Sequence, residues 1–170
     1  MRLTLDSTTL RRLFVTDLRA FQAYRNDPVV AEFQSWDQMD DDRASGFLHH
    51  SATVTPLMRP DNWTQIAVAD TETDALLGDM GLHLSADGSE AELGITLAHA
   101  AQKHGHATRA VAMAVGFLFD ATAITGITAW ADIRNMASCR LMQRAGFTQN
   151  GVEVTDGVTE AVFVLKRQDG

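Results

Sequence analysis

A change of period between residues 91 and 118 restricts the fold more than any other part of the chain. In Ala91-Glu92-Leu93-Gly94-Ile95-Thr96-Leu97, the apolar residues Leu93, Ile95 and Leu97 alternate with Glu92, Gly94 and Thr96, which is the two-residue repeat of a strand. Ala107, Ala110, Val111, Ala114, Val115 and Leu118 then recur at helical spacing, so one stripe of a helix is apolar and packs on a sheet. Between strand and helix lies the small-residue loop Gln102-Lys103-His104-Gly105-His106-Ala107.

Such a loop leads into the unpaired N–H groups and positive dipole end of a helix start, and Gly105 and Ala107 leave room for close approach of an anion. No Asp or Glu occurs between Glu92 and Asp120, whereas Lys103 and Arg109 both fall in that interval. The segment therefore reads as a phosphate cradle.

A chain of 170 residues that is 45% hydrophobic supports one domain over residues 1–170. A formal charge of -8 argues against nucleic acid, whose binding rests on many Lys and Arg contacts, and suits a cationic partner such as an amine. The single Cys139 excludes an internal disulfide and a cysteine-based zinc site, and fits a reducing, cytoplasmic setting. The start lacks an apolar signal-like stretch and the apolar run Ala110 to Phe119 is too short to span a bilayer, so no membrane association is expected. The histidines, including His83, His99, His104 and His106, fit no helical ligand pair, and no metal is expected.

In chain order, residues 1–15 read as a turn and a first strand over Leu10 to Val15, and Thr16 or Asp17 offers a cap for a helix through Leu18, Phe21 and Tyr24. Asn26-Asp27-Pro28 ends that helix and starts a short one. The acidic residues Asp37 and Asp40 to Asp42 precede a helix through Phe47 and Leu48, either complementing its dipole or attracting an amine. Phe33 and Trp36, in the loop before them, either wall a substrate pocket or anchor the core. Thr64 to Ala69, Leu76 to Leu84 and the strand near Glu90 form a meander, and Ile127 to Asp132 adds a parallel neighbour through a right-handed crossover. Asn135 opens a further helix closed by Gly146, and two strands joined at Asp156-Gly157 complete the sheet.

The spacing Gln-x-x-Gly-x-Ala over Gln102 to Ala107 resembles the loop with which GNAT-superfamily N-acetyltransferases hold the pyrophosphate of acetyl-CoA. Downstream, Asn135-Met136-Ala137-Ser138 followed by Gly146-Phe147 resembles the Asn-x-x-Ser/Ala...Gly-Phe signature of that superfamily, and Tyr24-Arg25-Asn26-Asp27-Pro28-Val29 is similar to its RimJ/RimL-type branch. The resemblance implies an α/β GNAT fold, a mixed, mostly antiparallel twisted sheet of about six or seven strands with helices on both faces and splayed central strands. It implies transfer of an acetyl group from acetyl-CoA, as cosubstrate, to a primary amine on a small molecule or a protein N-terminus. A homodimer is left open.

An alkylammonium ionises near ~10.4, so a carboxylate base assists attack at neutral pH. Glu92 is the candidate, against the alternative of a surface strand carboxylate. By the resemblance, Leu93, Gly94, Ile95, Gln102, Lys103, His104, Gly105, His106, Ala107, Thr108 and Asn135 contact the coenzyme, with backbone N–H groups near Gly94 and Ile95 polarising the carbonyl. Gly94 fits a bulge there or relieves packing, and the alternative for Asn135 is a plain helix cap, with the motif favouring contact with the pantetheine arm. Many relatives place a Tyr four residues beyond the Ser/Ala position; here that residue is Met142, and Ser138 becomes the donor to the leaving sulfur. Ile95, Thr96 and Arg109 also depart from the branch pattern, which makes acceptor preference the least transferable inference. The alternative to an enzyme is a GNAT-like module that binds acyl-CoA without turnover.

Overall fold

In the computed structural model, which describes residues 1–168, the strands form one eight-stranded sheet of order β1-β2-β3-β4-β5-β6-β8-β7. The strands are β1 (Arg2–Leu5), β2 (Thr8–Arg12), β3 (Asn62–Asp70), β4 (Leu76–Leu84), β5 (Glu90–Leu97), β6 (Gly126–Asp132), β7 (Thr148–Thr155) and β8 (Val158–Lys166). The neighbouring strands β5 and β6 pair in parallel, as expected for a connection made by a crossover helix. The helices are α1 (Leu18–Arg25), α2 (Pro28–Ala31), α3 (Asp41–Thr53), α4 (His106–Ala121) and α5 (Met136–Arg144).

Alternation along the strands feeds two cores. Ile66 and Val68 of β3 and Met80 and Leu82 of β4 turn to one face, where Ala110, Val111, Ala114 and Leu118 of α4 and Leu141 and Met142 of α5 cover them. Ala67, between Ile66 and Val68, turns to the other face and meets Phe21 and Tyr24 of α1 and Ala44 and Leu48 of α3. The sheet therefore has helices on both faces. No helix among the described residues is long and apolar enough to cross a membrane.

The amino-terminal reading needs correction. Residues 2–12 are a hairpin, with Leu5 opposite Thr8 and Asp6 at φ +51° in the turn. The polar Thr8 and Thr9 belong to β2 because their hydroxyls find partners: Thr8 bonds to Arg109 and His106, and Thr9 to Thr4 and Thr71. This hairpin supplies the eighth strand, while Val15 lies in a 3-10 turn and not in the strand. Asp17 does not cap α1 either. Its carboxylate takes a two-pronged bond from the buried Arg11, 2.9 Å at each oxygen, and the N–H of Phe14 at 2.8 Å. Two guanidinium bonds outbid a single cap.

Candidate functional site

The parallel pairing of β5 and β6 covers only Glu90–Glu92 against Gly126–Thr128, although β5 runs on to Leu97 and β6 to Asp132. Past that register the strands part and a cleft opens in the middle of the sheet. Glu92 is the last paired residue, so its half-buried side chain stands at the apex of the cleft. Burial is the largest influence on the Glu92 carboxyl and raises its pKa above the ordinary 4.5; a charged His83 pulls it back, and Glu160 pushes it further up. A carboxyl tuned upward accepts a proton more readily than an exposed one.

Leu93 is buried in the core beneath α4 and Ile95 packs against it, so what these two residues offer the cleft is backbone. Gly94 turns to the opposite face, where a Cβ would meet nothing within 4 Å. The β4–β5 register runs unbroken from Gly78↔Leu97 to Leu84↔Ala91, so Gly94 is neither a bulge nor a packing relief; it leaves open floor. Its lateral partner Gly81 lies under the Trp63 ring, whose Cζ3 and Cε3 are 3.1 and 3.2 Å from the place a Cβ would take. Trp63, 51% exposed, thus walls this floor and stacks on His83 at 5.2 Å between ring centres.

The loop ahead of α4 is shaped by two left-handed residues, Lys103 at φ +65° and Gly105 at φ +81°. Gln102 ties its start by donating from Nε2 to the Leu97 carbonyl at 3.2 Å. Among the described residues, the backbone N–H groups from Lys103 to Thr108 find no acceptor, which is the donor array an anion requires. Arg109 braces this array. Its Nε donates to Thr8 Oγ1 at 3.0 Å, and Nη2 to Ser7 Oγ and to the His104 carbonyl, both at 2.8 Å. All three partners are uncharged, so the guanidinium charge stays available to an anion. Thr8 Oγ1 also lies 2.9 Å from His106 Nδ1. The Thr8 hydroxyl thus joins Arg109 and His106 in one hydrogen-bonded chain. Burial first, then Arg109, lowers the His106 pKa below the ordinary 6.5.

At the far side of the cleft Asn135 caps α5, its Oδ1 accepting from the Ser138 N–H at 3.1 Å. The capping alternative is therefore realised, while Asn135 Nδ2 has no partner among the described residues and remains free to donate. Ser138 is half-buried in the first turn of α5, and Met142 is core. Burial raises the Cys139 thiol, which leaves it a poor nucleophile. Asp132 and Arg134 form a fork with bonds of 3.0 and 2.6 Å, and the Arg134 guanidinium lies 5.6 Å from the centre of the Phe33 ring. Phe33 is thereby brought to the rim where β6 ends.

Trp36 lies elsewhere. It stacks on Arg25 at 3.9 Å, donates its indole N–H to the Arg25 carbonyl at 3.0 Å, and lines a cavity of about 340 Å³ with Arg25, Asn26 and Glu32. The acidic run serves α3: Asp40 accepts from the Arg43 N–H and Asp41 from Gln22 Nε2, each at 2.9 Å. Trp63 and His83 escaped the sequence reading as lining residues. The signal was present, since Trp63, His83 and Glu92 share one face by strand parity, but only the register of three strands makes them neighbours. Among the described residues no group of three or more His, Cys, Asp or Glu could hold a metal ion.

The family model of the acetyltransferase (GNAT) domain matches residues 7–148, and the chain belongs to that family. A GNAT-family acetyltransferase from Bacillus anthracis superposes with a TM-score of 0.85 at 16% identity, covering 98% of both chains. A putative ribosomal-protein-serine acetyltransferase from Vibrio cholerae gives 0.81 at 17% identity, again over 98% of each chain. The spermidine N-acetyltransferase of Vibrio cholerae, solved with CoA and spermine, gives 0.80 at 18% identity, covering 95% of this chain and 96% of that one. No protein of curated function matches the sequence.

Proposed function

We propose that the protein is an acetyl-CoA-dependent N-acetyltransferase of one domain, acting in the cytoplasm on a primary amine borne by a small molecule or a protein N-terminus. The observation that carries this reading is the position of Glu92, at the apex of the β5–β6 cleft with its pKa raised, beside an open floor at Gly94. A surface strand carboxylate would have neither the burial nor the cleft.

The residues present fit the coenzyme. The N–H groups of Lys103 to Thr108 would hold the pyrophosphate with Gln102, the backbone of Leu93 to Ile95 would meet the pantetheine arm and carbonyl, and Asn135 would donate from Nδ2. Acetyl-CoA supplies an activated carbonyl and a fair leaving group, a thiol with a pKa near ~8.5. Glu92 takes a proton from the acceptor ammonium. Ser138, with no side-chain acceptor of its own among the described residues, donates toward the sulfur. Phe33 at the rim and Trp63 over the floor would line the acceptor path, while Trp36 stays with Arg25 in its own cavity. The Tyr24 to Val29 passage and the likeness to a ribosomal-protein-serine acetyltransferase support the RimJ/RimL-like branch, and the spermine complex supports a small polycation.

The test is CoA release from acetyl-CoA across a panel of amines and N-terminal peptides, with Glu92→Gln and Ser138→Ala as controls. Turnover with at least one amine, reduced about 100-fold or more by Glu92→Gln, is expected. CoA binding without turnover, unaffected by either substitution, would instead make the chain a non-catalytic acyl-CoA-binding module.

A further inference from the structure

Glu92 must lose the proton it gains before it can serve again, and its own side chain is half-buried. One titratable group stands beside it in register. His83 is the direct partner of Glu92 in the β4–β5 pair, and such partners hold their Cβ atoms about 4.5–5.5 Å apart on the same face. The His83 ring is itself held. Trp63, its partner on β3, stacks against it with the planes at 37°, and Asp61 Oδ1 lies 4.0 Å from His83 Nε2. Exposure rises along this row, from a half-buried Glu92 through a His83 side chain 25% exposed to an Asp61 side chain 79% exposed.

We propose that His83 relays the proton from Glu92 to solvent, with Asp61 as the outlet and Trp63 holding the imidazole in line. The proposal rests on the acetyl-transfer reading above. In balance, an acceptor entering as an ammonium gives one proton to Glu92; its nitrogen lone pair forms the N–C bond, the C–S bond breaks, and the departing sulfur ends with the second nitrogen proton. The proton on Glu92 passes to one nitrogen of the neutral His83 ring while the proton on the other nitrogen leaves toward Asp61 and water.

The charged groups facing the pair are few. Glu160 of β8 faces Glu92, and Asp61, just ahead of β3, faces His83. Glu160 favours the protonated carboxyl, whereas a protonated His83 disfavours it and so drives the next proton off. His83 is thus a positioning and relay group and does not touch the reacting atoms.

The experiment uses the full chain with the most active amine from the panel. For His83→Gln, kcat on the pH plateau is expected to fall about 10- to 100-fold at low buffer concentration, with KM for acetyl-CoA unchanged. Added imidazole should restore it, and the solvent isotope effect on kcat should grow. His83→Asn is the second variant, and an unchanged CoA-induced rise in Tm shows that either variant is folded. A wild-type rate in His83→Gln, or a lost rate that imidazole does not restore, overturns the relay while leaving acetyl transfer intact. Absence of wild-type turnover with every amine overturns both.

Discussion

Replacing Gly105 by Ala tests the loop at its tightest point. Gly105 sits at φ +81°, where a Cβ costs ~1–2 kcal/mol. The added carbon would also lie 2.7 Å from Arg109 Nη1, so the guanidinium must move. That movement strains its bonds to Ser7, Thr8 and the His104 carbonyl, and loss of one adds ~1 kcal/mol. The sum, ~2–3 kcal/mol, corresponds to a fall in Tm of ~4–12 °C for a chain of this size. Coenzyme affinity should fall further than stability requires, because the N–H groups from Lys103 onward are re-aimed. Losing one or two charge-assisted bonds to phosphate, at ~1.5–3 kcal/mol each, weakens Kd at least ~10-fold. Calorimetric titration with CoA and a thermal melt separate the two effects, and the same change in an Arg109→Ala background should lose the part of the Tm penalty due to crowding. A variant that melts lower yet binds CoA with wild-type Kd would refute the argument, since the left-handed turn would then serve stability alone.

The acid limb of kcat/KM should lie above 4.5 and report Glu92, which is inactive once protonated; a limb at or below that value contradicts the environment described for it. Asp79 is 1% exposed and receives bonds from Tyr24, Arg25 and Gln65. Asp79→Asn leaves the buried Arg25 charge uncompensated and should cost ~3–5 kcal/mol, read as a drop in Tm, while CoA affinity per folded molecule is unchanged. The lowered pKa of His106 means that the unfolded chain binds its proton more readily than the folded one. Its contribution is present above the ordinary 6.5 and is lost as pH falls through the lower folded value. His106→Gln should flatten the decline of Tm with acidification in that window, and an unchanged slope would count against the burial of His106 beside Arg109.

Most of the fold was legible because periodicity reports burial directly. The α4 stripe predicted by spacing contains the fully buried Ala110, Val111, Ala114 and Leu118, and the apolar alternation of β5 puts Leu93 and Leu97 into the same core. Gly146 closes α5 at φ +89° as its position implied. What sequence could not give was long-range pairing. Thr8 reads as loop until Arg109 and His106, about a hundred positions away, supply its partners. Asp17 reads as a cap until Arg11 claims it. Trp63 and His83 become neighbours of Glu92 only through the register of a three-stranded meander. The loop around Gly105 was visible for the opposite reason, since its shape depends on local backbone freedom and needs no distant partner.

The most direct test is to titrate the isotopically labelled protein with CoA and follow its backbone amide resonances. The amides from Lys103 to Thr108, which find no acceptor among the described residues, should move first and furthest, saturating with the same Kd as the rise in Tm. Resonances there that stay fixed at saturating coenzyme, or a largest response elsewhere in the sheet, would contradict the account.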